Sequence, residues 1–541
     1  MSNAPGSDPH EPEDSRAFTR RTGLQVAGSG LLVAGAGSLL AACGGGSTSS
    51  PTPSTGGNTA PAEGTPKKGG TLNLGAQGGS DNDTLDAQSL LTNTDYARGY
   101  AMYEGLTRVD PTGKVVMLLA ESMEPNKDAT EWTVRLRPNI TTHDGKPFGA
   151  KDLIYSFNRL IKNKLPGAIT LGPINMSKAK ILDERTVRLA FDTPYGILPK
   201  TQVKLDSFLV PVGYDPKKPI GTGPFKLDSF TPGQASTMSR HEGYWNTGHP
   251  YLDKLIITNI ADETAQVNAL QSGQVDAIDY LSSTSLNAVK GAGGKVVVSK
   301  TGGWGPFDMA MDTKPFSDVR VRLALKLIVD RKQMNDQVFG GLGTIGNDVF
   351  SPFDEDYDKS IPQRVQDIEQ AKSLLKAAGY PDLSINLITT PNGPGQIQAA
   401  EVFANQAKAA GVTVKITNQT PTDYFAKSYL KVPFSQDYWP YIPYLMTAAQ
   451  ATVHGAPFNF EKQDIPAYNK LYATASGTTN PALRKEASHA MQKIDHDQGG
   501  LMIPYFFPVI DGLATRVHGV NPSVSGIAMG QFDWANIWVD A

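Results

Sequence analysis

Hydrophobic and polar positions along the body of the chain repeat in two periods, which predict a mixture of strands and helices. In the stretch EWTVRLRP, Trp132, Val134 and Leu136 alternate with polar neighbours, as expected of a half-buried strand. The stretch RTVRLAF, at residues 185–191, repeats this period of two. Between them HDGKPF, at residues 143–148, contains an Asp-Gly pair and predicts a turn.

Four stretches carry a helical period of three to four residues instead. They are AKDLIYSFNRLI (150–161), ADETAQVNALQ (261–271), PFSDVRVRLALKLIVDRKQM (315–334) and DIEQAKSLLKAAGYP (367–381). Gly273 ends the second helix ahead of a predicted strand, and Ser317 is expected to cap the third, which predicts one long apolar helix. Because helices alternate with strands, the pattern predicts α/β domains with largely parallel sheets.

The first 43 residues differ in composition from the body of the chain. Residues 26–40 form a run of 15 uncharged residues that follows a pair of arginines. A membrane span needs about 20 apolar residues, so this run fits the core of a secretory signal peptide. The residues LAAC, which end at Cys43, resemble the bacterial lipobox and imply that the Cys43 sulfur carries a diacylglycerol. The alternative is a buried structural cysteine in an N-terminal helix.

A tether is predicted between the signal segment and the body. Residues 44–67 contain no aromatic residue and no aliphatic residue beyond alanine, so they are expected to be disordered. A flexible chain of this length spans roughly 25–30 Å. The body would then stand on the outer face of the cell membrane, anchored through lipid on Cys43. The stretch TRRTGL resembles a twin-arginine signal but departs from it at Gly23 and Gln25, which leaves the export route open.

Length, charge and cysteine content narrow the class of protein. A chain of 541 residues can bury more than one core, and its formal net charge of -3 gives no reason to expect a nucleic-acid partner. Its single cysteine excludes an internal disulfide and a zinc site built on several cysteines. We expect no cofactor and no metal site.

Motifs typical of enzymes are missing from the sequence. It contains no HExxH, GxSxG or GxxxxGK(S/T) motif. Gly341, Gly343 and Gly346 have the spacing of a dinucleotide-binding loop, but they follow a helix-like stretch rather than the strand that this motif requires. A carboxylate pair for glycoside hydrolysis stays open, because no Asp or Glu stands out. The motifs alone therefore single out no enzymatic activity.

Several sequence blocks of the body are characteristic of one protein family when they occur together and in this order. They include KKGGTLNLG, YEGLTRVDPTGKVVMLLAESMEPNKDATEWTVRLRP, PIGTGPFKLDSFTPGQ, HEGYWNTGHPYLDKLIITNI, LQSGQVDAID and AKSLLKAAGY. In this order they resemble the family 5 bacterial extracellular solute-binding proteins, the peptide, oligopeptide and nickel receptors of ABC importers. The resemblance implies an α/β, two-lobed periplasmic-binding-protein-like fold of type II, in the large class with an extra subdomain, and a hinge between the lobes.

The same resemblance implies the domain boundaries. The predicted segments are a signal peptide with lipobox at 1–43, a linker at 44–67, lobe one at 68–305 with the extra subdomain at 111–215, lobe two at 306–499, and a return into lobe one at 500–541. A hinge would let the two lobes close on a ligand and exclude water from it.

The resemblance implies a binding protein and not an enzyme, which captures peptides in the cleft between the lobes and delivers them to a transporter. The expected partners are permease and ATPase subunits, and the body is expected to act as a monomer. An oligosaccharide, a metal chelate or a metabolite is an alternative ligand for the same class of receptor. A secreted hydrolase is a further alternative, which predicts turnover rather than stoichiometric binding.

The resemblance points to a tryptophan-containing stretch of lobe two as a ligand site. In peptide-binding members this stretch is followed by an aspartate that pairs with the peptide's α-amine. The comparable stretch here is PFSQDYWPYIPYLM, in which residues 440–444 carry no acid, so Asp437 is the candidate partner of the amine. Tyr438, Trp439 and Tyr441 are candidates for stacking on side chains or sugar rings, with plain core packing as the alternative.

Three further ligand contacts are predicted from position along the chain. Trp304, in TGGWGPFDM, stands at the expected lobe crossing, where the glycines also suit a hinge. Gln77 and Asp81 lie in the loop after the first strand, which often faces ligand in the family. The alternative for these two residues is simple turn chemistry.

Overall fold

Residues 64–540 are described by a computed structural model of the chain, and they form five sheets. The predicted signal segment, Cys43 and residues 44–63 of the predicted linker lie outside the described residues. Within residues 64–540, no helix combines the length and the apolar character needed to cross a membrane.

The strands and helices alternate irregularly along the chain. The strands are β1 (Thr71–Ala76), β2 (Thr107–Val109), β3 (Val115–Met117), β4 (Ala120–Pro125), β5 (Glu131–Leu136), β6 (Lys180–Ile181), β7 (Thr186–Ala190), β8 (Phe225–Thr231), β9 (Ala235–Arg240), β10 (Lys254–Asn259), β11 (Ala277–Ile278), β12 (Lys295–Trp304), β13 (Phe307–Met309), β14 (Thr344–Ile345), β15 (Ser384–Thr389), β16 (Thr413–Asn418), β17 (Phe434–Gln436), β18 (Leu501–Met502), β19 (Tyr505–Leu513), β20 (Val517–His518) and β21 (Trp538–Val539). The helices are α1 (Asn93–Met102), α2 (Ala150–Lys162), α3 (Leu198–Thr201), α4 (Glu263–Gln271), α5 (Leu286–Gly291), α6 (Val319–Ile328), α7 (Arg331–Phe339), α8 (Ile368–Ala377), α9 (Gln396–Ala407), α10 (Pro421–Asp423), α11 (Tyr444–Ala451), α12 (Pro466–Gly477) and α13 (Pro481–Gln498).

The first sheet has the strand order β12-β19-β11-β1-β10-β9-β8, and β14 also pairs with β19. Strand β1 pairs in parallel with β10 and with β11. The pairs β8–β9, β9–β10, β11–β19 and β12–β19 are antiparallel. The prediction of largely parallel sheets is therefore wrong, because β8 and β9 form a hairpin and β19 enters the sheet from far along the chain.

The second sheet has the strand order β16-β15-β17-β13-β18. Strand β15 pairs in parallel with β16 and β17, whereas β13 pairs antiparallel with β17 and β18. Apolar side chains of both sheets are buried, for example Leu74 and Ile257 in the first and Leu387 in the second. Both sheets thus mix the two directions, and their carboxyl ends lie at a common edge only for the parallel strands β10, β1 and β11 in the first sheet and β16, β15 and β17 in the second.

Two adjacent segments of chain connect the sheets. Strand β12 leads into β13, and β18 leads into β19, each through two residues. Trp304, at the end of β12, exchanges two backbone hydrogen bonds of 2.9 Å with Trp439. A Cβ on Gly303 would come within 2.4 Å of the Phe507 ring, so only glycine fits where the two segments pass each other. The predicted lobe boundaries near these crossings stay a prediction.

One predicted helix differs from the structure at its start and is interrupted in its middle. The stretch at 315–334 forms two helices, α6 and α7, rather than one. Asp318 and not Ser317 caps α6, because the Asp318 carboxylate accepts a hydrogen bond from the Arg320 N–H. Val329 has an extended backbone, and Asp330 caps α7 in the same manner. An aspartate is as good a helix cap as serine, so the second aspartate allows a new helix to begin.

The region of the predicted extra subdomain contains an antiparallel sheet of its own, in the order β4-β5-β7-β6. Trp132 and Val134 of β5 are buried, as their alternation predicts. Lys200 connects this region to the chain that follows β14, because its Nζ lies 3.3 Å from Asp354 Oδ1 and 3.0 Å from Asp356 Oδ2. Both carboxylates are buried, so this contact is more than a surface ion pair.

Candidate functional site

In each of the two large sheets, the carboxyl ends of two neighbouring parallel strands lie side by side. Gln77 follows β1 and Asp279 follows β11 in the first sheet. Thr390 follows β15 and Asp437 follows β17 in the second sheet. In open α/β sheets, ligands bind in the crevice outside the carboxyl ends of the strands. These four strand ends therefore define the candidate binding region.

Three half-buried tyrosines lie at these ends and on the neighbouring helix α1; we name Tyr96, Tyr280 and Tyr438 the tyrosine cluster. Burial raises the pKa of Tyr96 and of Tyr280 well above its ordinary value, and the neighbouring Tyr438 is the next cause in both cases. Burial also raises the pKa of Tyr438, to about 12. Because Tyr438 follows the second sheet and the other two belong to the first, this electrostatic interaction indicates that the two sheet ends face each other.

Residues 390–396, which we name the amide loop, lie against the tyrosine cluster. A Cβ on Gly393 would fall 2.6 Å from the Cβ of Tyr438 and 3.0 Å from Oε1 of Gln396. Gln396 is 2% exposed, and neither its amide nor that of Asn392 has a hydrogen-bond partner within the described part of the chain. An unpaired buried amide costs about 1–3 kcal/mol. These two amides are therefore candidates for hydrogen bonds to a ligand.

Asn93 and Asp279 organise the corresponding end of the first sheet. Asn93, the first residue of α1, donates from Nδ2 to the Gln77 carbonyl at 3.2 Å and to Asp279 Oδ2 at 2.8 Å. The Gln77 N–H donates to Asp279 Oδ1 at 2.6 Å. Burial raises the pKa of Asp279 to about 6, and these hydrogen bonds oppose the rise. The backbone of Gln77 is thus part of this hydrogen-bonded end, and the predicted contact between Gln77 and a ligand stays a prediction.

Asp81 occupies a different position from Gln77. Its side chain is exposed and lies beside the turn between β8 and β9, because a Cβ on Gly233 would meet Asp81 Oδ1 at 3.0 Å. Strand β8 is the edge strand of the first sheet. The contact given for Asp81 therefore lies at the sheet edge, and its predicted role in ligand binding stays a prediction.

Trp304 and Trp439 pack together inside an aromatic cluster. Their rings stack at 5.8 Å with planes 19° apart, and Trp304 also stacks on Phe350 at 5.4 Å. Phe458 and Phe460 meet the Trp439 ring edge-on at 5.8 and 5.9 Å. Trp304 has no exposed surface and Trp439 is 8% exposed. This packing favours the core alternative for both residues, and their ligand contacts stay a prediction.

Asp437 is turned into the same aromatic cluster. Its Oδ2 accepts hydrogen bonds from Trp439 Nε1 at 3.1 Å and from the Tyr429 hydroxyl at 3.3 Å. Burial raises the pKa of this carboxyl to about 7, against the opposing effect of these donors. Asp437 is 4% exposed, so pairing with the amine of a ligand would require it to leave this environment. That pairing also stays a prediction.

Tyr441 is fixed between distant parts of the chain. Its hydroxyl donates to the Gly113 carbonyl at 3.2 Å, and its N–H donates to the Ser525 carbonyl at 2.8 Å. Its ring meets Phe353 edge-on at 6.1 Å. With 3% of its surface exposed, Tyr441 connects the region of the predicted subdomain to the C-terminal segment.

The residues that best form a site were not all found from the sequence. Tyr96, Tyr280, Asn392 and Gln396 were missed, because they lie on separate elements that only the fold brings together. One signal was present in the sequence. The stretch TPNGPGQ between β15 and α9 combines two amides with Pro and Gly in a strand-to-helix loop, where binding residues concentrate.

A metal centre is not supported by the side-chain arrangement. Within residues 64–540, no group of three or more histidine, cysteine, aspartate or glutamate side chains is placed to hold a metal ion. The candidate site therefore consists of phenol and amide groups around two strand ends. Such groups suit hydrogen bonding and stacking with a neutral or polar organic molecule.

The chain resembles bacterial binding proteins of several specificities. It is 28% identical to heme-binding protein A of Haemophilus influenzae over 369 residues, which cover 60% of this chain and 64% of the relative. It is 26% identical to the glutathione-binding protein GsiB of Escherichia coli over 355 residues, covering 63% and 68%. The chain thus spans about two thirds of the length of these relatives.

Solved structures share the fold over most of the chain. The oligopeptide-binding protein AppA of Bacillus subtilis, in complex with a nonapeptide, has a TM-score of 0.74 at 20% identity and covers 88% of this chain and 100% of its own. NikZ of Campylobacter jejuni, in complex with Ni(L-His), has a TM-score of 0.76 at 18% identity, covering 86% and 99%. These likenesses confirm the predicted periplasmic-binding-protein-like fold.

A family model assigns the chain to a class. The model described as bacterial extracellular solute-binding proteins, family 5 Middle, matches residues 114–451, which is more than half of the 541 residues. The chain therefore belongs to the family 5 bacterial extracellular solute-binding proteins, which are binding proteins and not enzymes.

Proposed function

We propose that the chain is the substrate-binding protein of an ABC importer that captures peptides and delivers them to a permease. A binding protein cannot move a solute across a membrane by itself, so permease and ATPase subunits are its proposed partners. Family membership and the strand-end position of the tyrosine cluster support this proposal. The body of the protein is proposed to act as a monomer.

The two large sheets are proposed to be the cores of two lobes. Lobe one would comprise 68–305 with the subdomain at 111–215, lobe two 306–499, and 500–541 would return to lobe one. The two adjacent crossings beside Trp304 and Phe507 support a hinge, because few backbone torsions there could change the angle between the sheets. Closure of this hinge would bring the amide loop and α1 together around a ligand.

One observation carries the peptide assignment. The amides of Asn392 and Gln396 lie beside Tyr438 and have no hydrogen-bond partner within residues 64–540, so each offers N–H donors and a carbonyl acceptor. A peptide group offers one donor and one acceptor, so it can form two hydrogen bonds with such an amide. The tyrosine rings supply flat apolar surface for peptide side chains without selecting one residue type. This combination suits recognition of backbone with loose side-chain pockets.

A non-peptide solute is the second candidate, and Asp437 favours it. A peptide α-amine needs a carboxylate, whereas the Asp437 carboxyl is buried and held by Trp439 and Tyr429. A neutral solute rich in hydroxyl or amide groups would use the amide loop and the tyrosine cluster without needing that acid. An oligosaccharide, a metal chelate and a small metabolite belong to this candidate group.

Mass spectrometry of the solute released from the protein tests the proposal. The full-length chain is purified gently, denatured, and the small molecules that it carried are identified. A ladder of peptide masses agrees with the peptide proposal. A single non-peptide mass contradicts the peptide proposal and supports the second candidate.

A lipid anchor on Cys43 is proposed to hold the protein at the outer face of the cell membrane. The lipobox-like LAAC sequence and the tether at 44–67 support this location. Labelling with radioactive palmitate should mark the wild-type chain and leave a Cys43→Ala variant unlabelled. Equal labelling of both chains would contradict the anchor.

A further inference from the structure

One cavity has a lining that includes no residue of the tyrosine cluster, and several separate parts of the chain contribute to it. Its volume is about 370 Å³, near the lower end of the range of roughly 300–1,000 Å³ for small-molecule sites. The walls come from parts of residues 100–111, 116–118, 202–208, 244–246 and 530–536, together with Arg137 and Pro224. Tyr100 lines this cavity one helical turn after Tyr96 on α1, so the cavity and the tyrosine cluster lie next to each other along one face of this helix.

Arg137 supplies a guanidinium group that is held in place but has no acidic partner. Its Nε donates to the Leu118 carbonyl at 2.5 Å and its Nη2 to the Met117 carbonyl at 3.4 Å. Its Cζ lies 5.0 Å from the centre of the Trp245 ring, a cation–π contact. Within residues 64–540, no carboxylate forms an ion pair with Arg137. The group is therefore oriented in advance for an anion.

A second guanidinium group, that of Arg108, lines the same cavity. It meets Asp533 through one contact of 3.4 Å, and the side chain of Arg108 is 40% exposed. The other oxygen of Asp533 accepts a hydrogen bond from Asn536 at 2.7 Å. A single long contact at an exposed position binds weakly, so an anionic ligand can compete for Arg108.

Glu104 is the other acid of the lining, and it is already fully engaged. Its two oxygens accept hydrogen bonds from Tyr244 at 2.8 Å, Trp245 at 3.0 and 3.1 Å, and Thr222 at 3.0 Å. Burial raises the pKa of Glu104 to about 7, so part of the population is neutral at physiological pH. The two arginines consequently outweigh the acids, and the cavity favours negative charge.

The remaining walls combine aromatic rings with an unusual turn. Phe208 and Trp245 contribute apolar surface, and Gln202 contributes a buried carbonyl oxygen that has no hydrogen-bond partner among the described residues. Residues 529–532 have φ of 52°, 64°, 71° and 49°, a left-handed turn that is unfavourable for L residues. Gln531 holds this turn by donating to the Tyr100 hydroxyl at 3.0 Å. Strain of this kind clusters at ligand sites.

We propose that this cavity is a second binding site that takes a small organic carboxylate with an aromatic or apolar body. The carboxylate would lie between Arg137 and Arg108, which offer paired donors, and the body would pack against Trp245 and Phe208. The two arginines would bind the carboxylate, and the aromatic side chains of the walls would contact the apolar body. The proposal does not depend on which solute binds at the tyrosine cluster.

Titration of the full-length chain with sodium benzoate tests this site, with benzamide as the neutral probe of the same shape. Tryptophan fluorescence reports binding, because Trp245 and Trp534 line the cavity. We expect benzoate to bind the wild-type chain and benzamide to bind at least roughly tenfold more weakly. An Arg137→Gln variant should weaken benzoate binding roughly 10- to 100-fold, since it loses a charge-assisted hydrogen bond.

Arg188→Gln, on β7 of the same subdomain sheet, is the matched control and should bind benzoate like the wild-type chain. Arg108→Gln provides a second variant if Arg137→Gln fails to fold, and it should weaken binding in the same direction. Equal affinity for benzoate and benzamide would overturn the proposal, as would unchanged binding in both arginine variants. Loss of benzoate binding in Gln396→Ala alone would overturn it too, because the probe would then lie at the amide loop.

Discussion

Replacing Asp437 by asparagine should change how the stability of the protein depends on pH. Asp437 is 4% exposed, and burial raises the pKa of its carboxyl from 3.8 to about 7. The folded state therefore holds this proton more tightly than the unfolded state does. The contribution of this carboxyl to the free energy of unfolding is complete below about pH 4, decreases as the pH rises, and is lost above about pH 7.

The magnitude follows from the interval between the two pKa values. At about 1.4 kcal/mol for each pH unit, the interval corresponds to about 4 kcal/mol in total. Burial also raises the pKa of Asp308, with Asp437 as the next cause, and burial raises that of Glu461 to about 7. These neighbouring carboxyls share part of the proton uptake, so Asp437 accounts for only part of this total. We expect the free energy of unfolding to change by about 2–3 kcal/mol less in the variant than in the wild-type chain between about pH 4.5 and about pH 8.

Urea unfolding of the wild-type chain and of Asp437→Asn at these two pH values measures the effect. The wild-type free energy of unfolding should fall relative to that of the variant as the pH rises. Asp81→Asn is the matched control, since the Asp81 side chain is exposed, and it should follow the wild-type curve. Parallel pH profiles for wild type and Asp437→Asn would refute the reasoning.

Three further predictions concern the contacts described above. Lys200→Met should destabilise the chain by about 3 kcal/mol in urea unfolding, because it leaves the buried Asp354 without its cation; a loss below about 1 kcal/mol would contradict this. Gly393→Ala should weaken binding of the released solute at least roughly tenfold in calorimetry, since the new Cβ would displace Tyr438; unchanged affinity would remove Tyr438 from the site. Cys43→Ser should release the protein from the membrane fraction, and retention there would contradict the lipid anchor.

Local patterns of the sequence predicted most of the individual elements. Trp132 and Val134 alternate in sequence and are buried in β5, and the predicted helices appear as α2, α4 and α8. Gly379 follows α8 with a φ of 87°, the left-handed conformation expected after a helix end. The family resemblance, the fold and the prediction that the chain is not an enzyme are confirmed by the family match and the solved structures.

Strand direction could not be read from the sequence, because it depends on distant pairing. Thr71 pairs with Lys254, and Ala277 pairs with Leu513, so each partner lies hundreds of residues away. The period of two is the same for parallel and antiparallel strands. A helix–strand alternation therefore overestimated the parallel content of both sheets.

The candidate site was predicted in part. The chosen stretch at 433–446 contains Tyr438, which interacts electrostatically with Tyr280 and Tyr96. Its more conspicuous aromatic, Trp439, packs into the core, because alternate side chains after β17 point to opposite sides. The sequence does not show which side of the chain a tryptophan will face. It also does not show that the side-chain amides of Asn392 and Gln396 will have no hydrogen-bond partner among the described residues.

Calorimetric titration of the solute released from the protein tests the central claim most directly. Wild-type chain, Gln396→Ala and the control Gln274→Ala are compared; Gln274 is exposed after α4. The account predicts that Gln396→Ala binds roughly tenfold more weakly, because a buried hydrogen-bonding group of the site is lost, and that Gln274→Ala binds like wild type. Equal affinity of all three chains would contradict a binding site at the amide loop and the tyrosine cluster.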